Sequence, residues 1–127
     1  MLNRSEIIFN SAATGRRVKG FIYKAEAPKA TVQICHGMAE YIWRYEGMIA
    51  TLNEAGYTVC GIDMLGHGET SKLNKDPLGY FGDNKDSYEN IFEDNLTFHN
   101  LIVEDGNPGP YILYGHSMRD GSCDVFS

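Results

Sequence analysis

A serine that directly follows an apolar run is the residue best suited to chemistry in this sequence. The run Tyr111-Ile-Leu-Tyr114 predicts a buried strand, and it leads straight into Gly115-His-Ser117. A glycine two positions before a serine is typical of a sharp strand-to-helix turn that exposes the hydroxyl. In such a turn Ser117 is the nucleophile, and the backbone N–H of Met118 donates to the developing oxyanion. An ordinary Gly-Ser turn explains these residues equally well, because G-x-S often occurs by chance.

The elements that must position this serine are predicted from the spacing of apolar residues. The pattern predicts an opening hairpin, three further strands and two helices: strands at 4–10, 18–24, 31–35, 57–63 and 111–114, and helices at 41–55 and 87–103. Gly56 is placed to end the first helix, and a glycine-rich loop is predicted from the end of the fourth strand to about Gly82. Strands that alternate with helices indicate a mostly parallel sheet with helices on both faces.

Three motifs, each at the end of a predicted strand, carry a family resemblance. They are Ile34-Cys-His-Gly-Met-Ala-Glu40 with Arg44-Tyr45 close behind it, Asp63-Met-Leu-Gly-His-Gly-Glu-Thr70, and Gly115-His-Ser-Met118. In this order they resemble the monoacylglycerol lipase and lysophospholipase branch of the α/β-hydrolases, which is also classed with serine aminopeptidase-like hydrolases. The similarity covers nearly all of residues 5–118.

The resemblance implies an α/β-hydrolase fold and a serine hydrolase of carboxylic esters that works through an acyl-enzyme, without a metal or cofactor. The expected substrate is a small lipid or another small ester. By the same match Ser117 is the nucleophile, and the backbone N–H groups of Met38 and Met118 form the oxyanion hole.

Other residues of these motifs are expected to be structural. His36 is interpreted as a structural loop histidine, and the resemblance implies that His67 packs beneath the active site. Asp63 is interpreted as a carboxylate that braces a loop, because it precedes Ser117 and the triad acid of this family follows the serine. The segment Gly66-His-Gly68 lacks the spacing of a phosphate-binding loop and a helix that begins at once.

The family pattern is lost directly after Met118. A small residue is expected at position 119, where this sequence has Arg119, and a long charged side chain there is expected to clash or to open the turn. We therefore divide the chain into 1–118, the N-terminal part of an α/β-hydrolase domain, and 119–127, a tail outside the family pattern. No histidine follows Ser117, so the chain is expected to be inactive. The alternative is a non-catalytic truncated or frameshifted fragment with at most a binding role.

Composition excludes some other classes of protein. The net charge is −6 and the pI is about 5.1, which argues against a nucleic-acid partner because phosphate contacts need clustered Lys and Arg. No apolar stretch approaches the roughly 20 residues of a membrane-spanning helix. Three cysteines at wide, irregular spacing fit neither a disulfide framework nor a zinc site, so free thiols and a cytoplasmic location are expected. Oligomeric state is not indicated by the sequence.

Overall fold

The computed structural model describes residues 4–13, 15–36, 41–76, 87–107 and 109–115, apart from the side chains of residues 87 and 88. In chain order the elements are β1 Arg4–Asn10, β2 Arg17–Tyr23, β3 Ala30–Cys35, a 3-10 helix Ile42–Tyr45, α1 Glu46–Glu54, β4 Tyr57–Asp63, α2 Gly68–Asn74, α3 Ser87–Glu104 and β5 Tyr111–Gly115. The bounds of all the predicted strands are confirmed to within about one residue. The predicted burial of residues 111–114 is wrong, because β5 is the last strand in the sheet and its Ile112 and Tyr114 are exposed. The helix predicted over 41–55 is instead a 3-10 turn followed by α1.

The short helix α2 was not predicted, because its sequence GETSKLN has no apolar stripe. A seven-residue polar helix is marginal on its own and depends on tertiary contacts. One contact comes from β2, where the N–H of Lys19 donates to Thr70 Oγ1 at 2.9 Å. The predicted loop after β4 is therefore wrong for residues 68–74. Within the described ranges, no helix has the length and apolarity needed to cross a membrane.

The five strands form one sheet in the order β1-β2-β4-β3-β5. The hairpin strand β2 pairs antiparallel with both β1 and β4, whereas β3 pairs parallel with both β4 and β5. Every residue of β3 is buried, as expected for a strand between two neighbours with both faces covered. The sheet thus combines a hairpin with three parallel strands, as the sequence indicated.

Two apolar clusters lie on opposite faces of this sheet and confirm that helices cover both. One cluster joins the sheet to α3 through Val18, Ile22, Cys60, Ile62, Met64, Leu65, Ile91, Phe98 and Ile102, together with Ala13. The other joins it to the 3-10 helix and α1 through Phe21, Tyr23, Ile34, Ile42, Ile49 and Val59. Successive residues of β2 and β4 alternate between the two clusters because a strand points its side chains to alternate faces.

Both described cysteines are buried. Cys60 is a free thiol in the core, and burial raises its pKa. The Sγ of Cys35, at the end of β3, lies 3.7 Å from Asn95 Oδ1 on α3. The cytoplasmic location stays a prediction.

Gly61 allows β4 to pass close to its neighbours. A Cβ at this position would lie 2.6 Å from Ile42 Cδ1 and 2.7 Å from the backbone oxygen of Ile34. The oxygen belongs to the adjacent strand and cannot move without disturbing the sheet. Gly47 in α1 has open space where its Cβ would be, which makes it a matched control.

We expect Gly61→Ala to lower the free energy of unfolding by about 1–3 kcal/mol because the new methyl group overpacks the sheet. Gly47→Ala should raise it by about 0.5–1 kcal/mol because alanine loses less backbone entropy in a helix. Urea denaturation of both variants measures the two changes. A Gly61→Ala variant as stable as the wild type would contradict the close approach.

Asp94 joins α3 to the turn between β1 and β2. Its two carboxylate oxygens accept hydrogen bonds from the Ser11 hydroxyl and the Ala12 N–H, both at 2.7 Å. The side chain is buried, and desolvation raises its pKa from 3.8 to about 6, against the lowering effect of these two bonds. The folded protein therefore binds a proton here at a pH where the unfolded chain has released it.

The sign of the resulting pH dependence follows from this raised pKa. The contribution of Asp94 to stability is fully present below the unfolded value and is lost as the pH rises through about 6. The free energy of unfolding of the wild type, minus that of Asp94→Asn, should fall by roughly 2–3 kcal/mol between about pH 4 and pH 7.5. Urea denaturation across this range measures the difference, and a rise with pH would mean that the hydrogen bonds outweigh desolvation.

Candidate active site

The three parallel strands end at one edge of the sheet. Ile34 of β3 is paired with Gly61 of β4, and Cys35 of β3 is paired with Gly115 of β5. In open α/β sheets, ligands bind outside the carboxyl ends of parallel strands. This edge is therefore the candidate site.

The two predicted catalytic segments begin at neighbouring points on this edge. The segment with Met38 follows Cys35, and the segment with Ser117 and Met118 follows Gly115. Ser117, Met38 and Met118 themselves lie outside the described residues, so their roles stay predictions. The pairing of Cys35 with Gly115 nevertheless brings together the strand ends from which both segments start.

Asp63, the last residue of β4, is a buried carboxylate at this edge. Its Oδ1 accepts the N–H of Ile42 at 2.7 Å, and its Oδ2 accepts the N–H of Glu69 at 2.9 Å. These bonds connect β4 to the starts of both the 3-10 helix and α2. Burial raises the pKa of Asp63, while the two N–H bonds and the charge of His67 act to lower it. The prediction of a bracing carboxylate is confirmed.

His36 lies directly after β3 and is fully buried. Its Nε2 accepts the backbone N–H of Met64 at 2.9 Å. A ring nitrogen that accepts a hydrogen bond carries no proton, so this bond requires the neutral form of His36 with its proton on Nδ1. The residue thus ties the end of β3 to the end of β4, in agreement with a structural role.

His67 is the second buried histidine at this edge. Its Nδ1 lies 2.9 Å from the carbonyl oxygen of Leu65, and because a carbonyl only accepts, Nδ1 carries the proton. The rings of His67 and His36 lie with their centroids 5.1 Å apart. Both histidines are therefore engaged with backbone groups of the loop after β4, as the structural interpretation predicts.

The sequence did not reveal the role of Gly68, which lies at this edge beside Asp63. Its φ is +50°, and a Cβ there would overlap the carboxylate of Asp63. The absence of a side chain lets α2 begin against Asp63. A helix does begin at Gly68, so the prediction that none follows Gly66-His-Gly68 is wrong. The first turn of α2 already binds a carboxylate of the protein itself, that of Asp63.

A five-stranded mixed sheet, with helices packed on both faces and motif residues at the ends of its parallel strands, defines an α/β-hydrolase fold. The chain belongs to the serine aminopeptidase S33 family, whose model matches residues 26–120. It is also 30% identical over 97 residues to an uncharacterized abhydrolase domain-containing protein of Dictyostelium discoideum. The matched region is 76% of this chain and 9% of that protein.

Solved structures of hydrolases superpose on most of the chain. A thermostable carboxyl esterase from Bacillus coagulans is 33% identical with a TM-score of 0.81, over 91% of this chain and 37% of the esterase. A lipase in its open form is 31% identical with a TM-score of 0.81, over 91% of this chain and 36% of the lipase. A monoglyceride lipase from Saccharomyces cerevisiae shares the fold, at 22% identity and a TM-score of 0.69, over 99% of this chain and 37% of that chain. The chain thus spans about a third of the length of these solved relatives and less than a tenth of the Dictyostelium protein.

We expect His36→Leu to lower the free energy of unfolding by about 1–3 kcal/mol, because it leaves the buried N–H of Met64 without an acceptor. His36→Gln should recover part of this loss, because an amide oxygen can accept the same bond. Urea denaturation at neutral pH compares the two variants. Equal stability of both variants and the wild type would show that the hydrogen bond contributes nothing.

Proposed function

We propose that this chain carries the nucleophile and the oxyanion hole of a serine hydrolase of carboxylic esters. The observation that carries the proposal is the pairing of Cys35 with Gly115, which starts both motif segments at one place in a member of a hydrolase family. A carboxyl esterase and a lipase that are 33% and 31% identical to the chain support ester chemistry. The motif resemblance supports single-chain esters, such as monoacylglycerols and lysophospholipids, as the substrate class.

The proposed reaction has two steps. Ser117 Oγ attacks the ester carbonyl carbon, the alcohol leaves with a proton, and the acyl group remains on the serine. Water then attacks the acyl-enzyme and releases the carboxylic acid and Ser117. The N–H groups of Met38 and Met118 stabilise the oxyanion in both steps, with about 3 kcal/mol expected for each donor.

Ser117 needs a base to accept its proton, and the described histidines do not offer one. His36 and His67 bond to backbone groups in the buried loops, and the ring of His99 on α3 packs against that of Tyr111 at 5.2 Å. The remaining histidine, His116, precedes the serine. We therefore propose that these residues alone do not activate Ser117.

A non-catalytic binding role is the second candidate. Arg119 favours it, because the sequence has a long charged residue where a turn around Ser117 is expected to need a small one. The two candidates predict different behaviour once a base and an acid are supplied to Ser117. An experiment that supplies them therefore discriminates between the candidates.

We expect a fluorophosphonate probe to leave the purified chain unlabelled, because the probe reacts with serines that a base has activated. Mass spectrometry of the intact protein measures the modification, with Ser117→Ala as the control and a serine esterase as the positive reference. Labelling of the wild type that Ser117→Ala abolishes would show that a base is present in the chain.

A chimera tests the ester chemistry itself. Residues 26–118 of this chain would replace the matching segment of the Bacillus coagulans esterase, so that the esterase provides the remainder of the domain. The chimera should be labelled and should hydrolyse p-nitrophenyl butyrate, and Ser117→Ala should abolish both. A folded chimera that shows neither would favour the binding role.

A further inference from the structure

We infer that Arg4, at the start of β1, is a positioning residue for the 3-10 helix Ile42–Tyr45. Its guanidinium lies in a cation site, which we define as the rings of Phe21 and Trp43 and the carboxylates of Glu6 and Glu69. The inference goes beyond the proposed function and rests on it in one step alone, the predicted effect on turnover.

The guanidinium of Arg4 connects a ring of the core to a ring at the surface. Its Cζ lies 4.8 Å from the centroid of the Phe21 ring and 5.9 Å from that of the Trp43 ring. Both distances are within the roughly 6 Å over which the face of an aromatic ring attracts a cation. Phe21 is buried in the sheet, whereas Trp43 is 44% exposed. Arg4 therefore gives an exposed ring a contact that leads back to the core.

Two carboxylates orient the guanidinium. Arg4 Nη2 donates to Glu6 Oε2 at 2.8 Å, and Nη1 lies 3.8 Å from Glu69 Oε2. Both pairs are partly exposed, so they orient the guanidinium more than they stabilise the fold. Lys19 Nζ also lies 3.4 Å from Glu6 and 3.0 Å from Glu69. Loss of Arg4 thus leaves neither carboxylate without a cation.

The 3-10 helix depends on contacts with the sheet. It has four residues and no side-chain hydrogen bond at its N-cap, and a 3-10 turn has poorer hydrogen-bond geometry than an α-helix. Ile42 packs against β4, and the ring of Tyr45 meets that of Tyr114 on β5 edge to face at 6.4 Å. On the hairpin side, the ring of Trp43 stacks on that of Tyr23 at 6.2 Å. Arg4 adds a contact on this third side.

The position of Trp43 connects the N-terminal strand to the candidate site. Trp43 directly follows Ile42, whose N–H donates to Asp63 at 2.7 Å. Glu69, the other contact of Arg4 outside the hairpin, also donates its N–H to Asp63, at 2.9 Å. Arg4 therefore contacts a residue in each of the two elements that Asp63 joins, although Arg4 itself lies on the outermost strand of the sheet.

Lys29 provides a matched control for a substitution at Arg4. Its Nζ lies 5.1 Å from the centroid of the Tyr57 ring, so it makes the same kind of contact. Tyr57 and Asp63 are the first and last residues of β4, which places them about 20 Å apart along the strand. Arg4→Met and Lys29→Met each remove one cation from the face of a ring, at opposite ends of β4.

The experiment combines amide hydrogen exchange on the full chain with acrylamide quenching of Trp43, which is the one tryptophan of the sequence. Arg4→Met should speed the exchange of the Ile42 amide roughly two- to fivefold, as expected for the loss of one partly exposed cation–π contact. It should also make Trp43 easier to quench. The Glu69 amide should respond less, because Lys19 still pairs with that side chain. Lys29→Met should change none of these.

Three outcomes would overturn the inference. The first is that Ile42 exchange and Trp43 quenching in Arg4→Met equal those of the wild type. The second is that Lys29→Met has the same effect on Ile42 as Arg4→Met. The third is a larger effect at Glu69 than at Ile42, because the contact would then act through the ion pair rather than through Trp43.

Arg4→Lys tests whether the positive charge is responsible. Lysine keeps the charge but lacks the planar group that stacks on a ring and binds a carboxylate with two donors. We expect Ile42 exchange and Trp43 quenching between those of the wild type and those of Arg4→Met. An effect of Arg4→Lys as large as that of Arg4→Met would contradict a cation site.

A longer chimera separates this inference from the proposed function. It carries residues 4–118 of this chain in the Bacillus coagulans esterase and so includes Arg4, which the chimera of residues 26–118 lacks. Arg4→Met should lower its kcat by up to roughly fivefold with little change in KM, because a positioning contact acts on the geometry of the reaction.

The two proposals fail in different ways in this chimera. If Ile42 exchange responds to Arg4→Met but the folded chimera is inactive, the positioning role stands and the ester chemistry fails. If the chimera is active but Arg4→Met changes neither kcat nor Ile42 exchange, the positioning role fails alone.

Discussion

Parallel pairing of β4, β3 and β5 determines where chemistry is possible in this chain. Parallel strands leave their carboxyl ends on the same side of a sheet, and the register sets Cys35 beside Gly115. The motif segments then start next to each other although they are about eighty residues apart in the chain. The hairpin contributes no motif, but β2 pairs with β4 on the side away from β3. Its side chains also contribute to the apolar clusters on both faces of the sheet. The site depends on this register more than on any single side chain.

Buried polar groups at the strand ends give this edge its order. His36, Asp63 and His67 are all removed from solvent, and each forms a hydrogen bond with a backbone group. Buried polar groups are costly unless they are paired, so the pairing of each group restricts the loop that it contacts. These residues would destabilise the core if they were unpaired. Paired, each one fixes the position of the backbone group to which it is bonded.

The sequence predicted the strands well because each has a clear apolar pattern and a turn residue at its end. The buried runs of β3 and β4 are short and continuous, as strands covered on both faces are, and Gly56 ends α1 with a φ of +94°. The run of β5 has the same apolar pattern in the sequence, but its Ile112 and Tyr114 are exposed. Asp63 was correctly interpreted from its place in the motif order. Helix α2 was missed because the contacts that stabilise it, from Lys19 and Asp63, are distant in sequence or lie outside the helix.

Neither Gly61 nor Gly68 has room for a side chain, and this affects how sequence variation in this chain is interpreted. At both positions the space that a side chain would fill is occupied by backbone or by a buried carboxylate. A screen of all substitutions would find that Gly61 and Gly68 tolerate substitution as poorly as a catalytic residue does, although glycine has no side chain that can react. Tolerance profiles here therefore measure steric exclusion as well as chemistry, and a screen that separates protein abundance from turnover would distinguish the two.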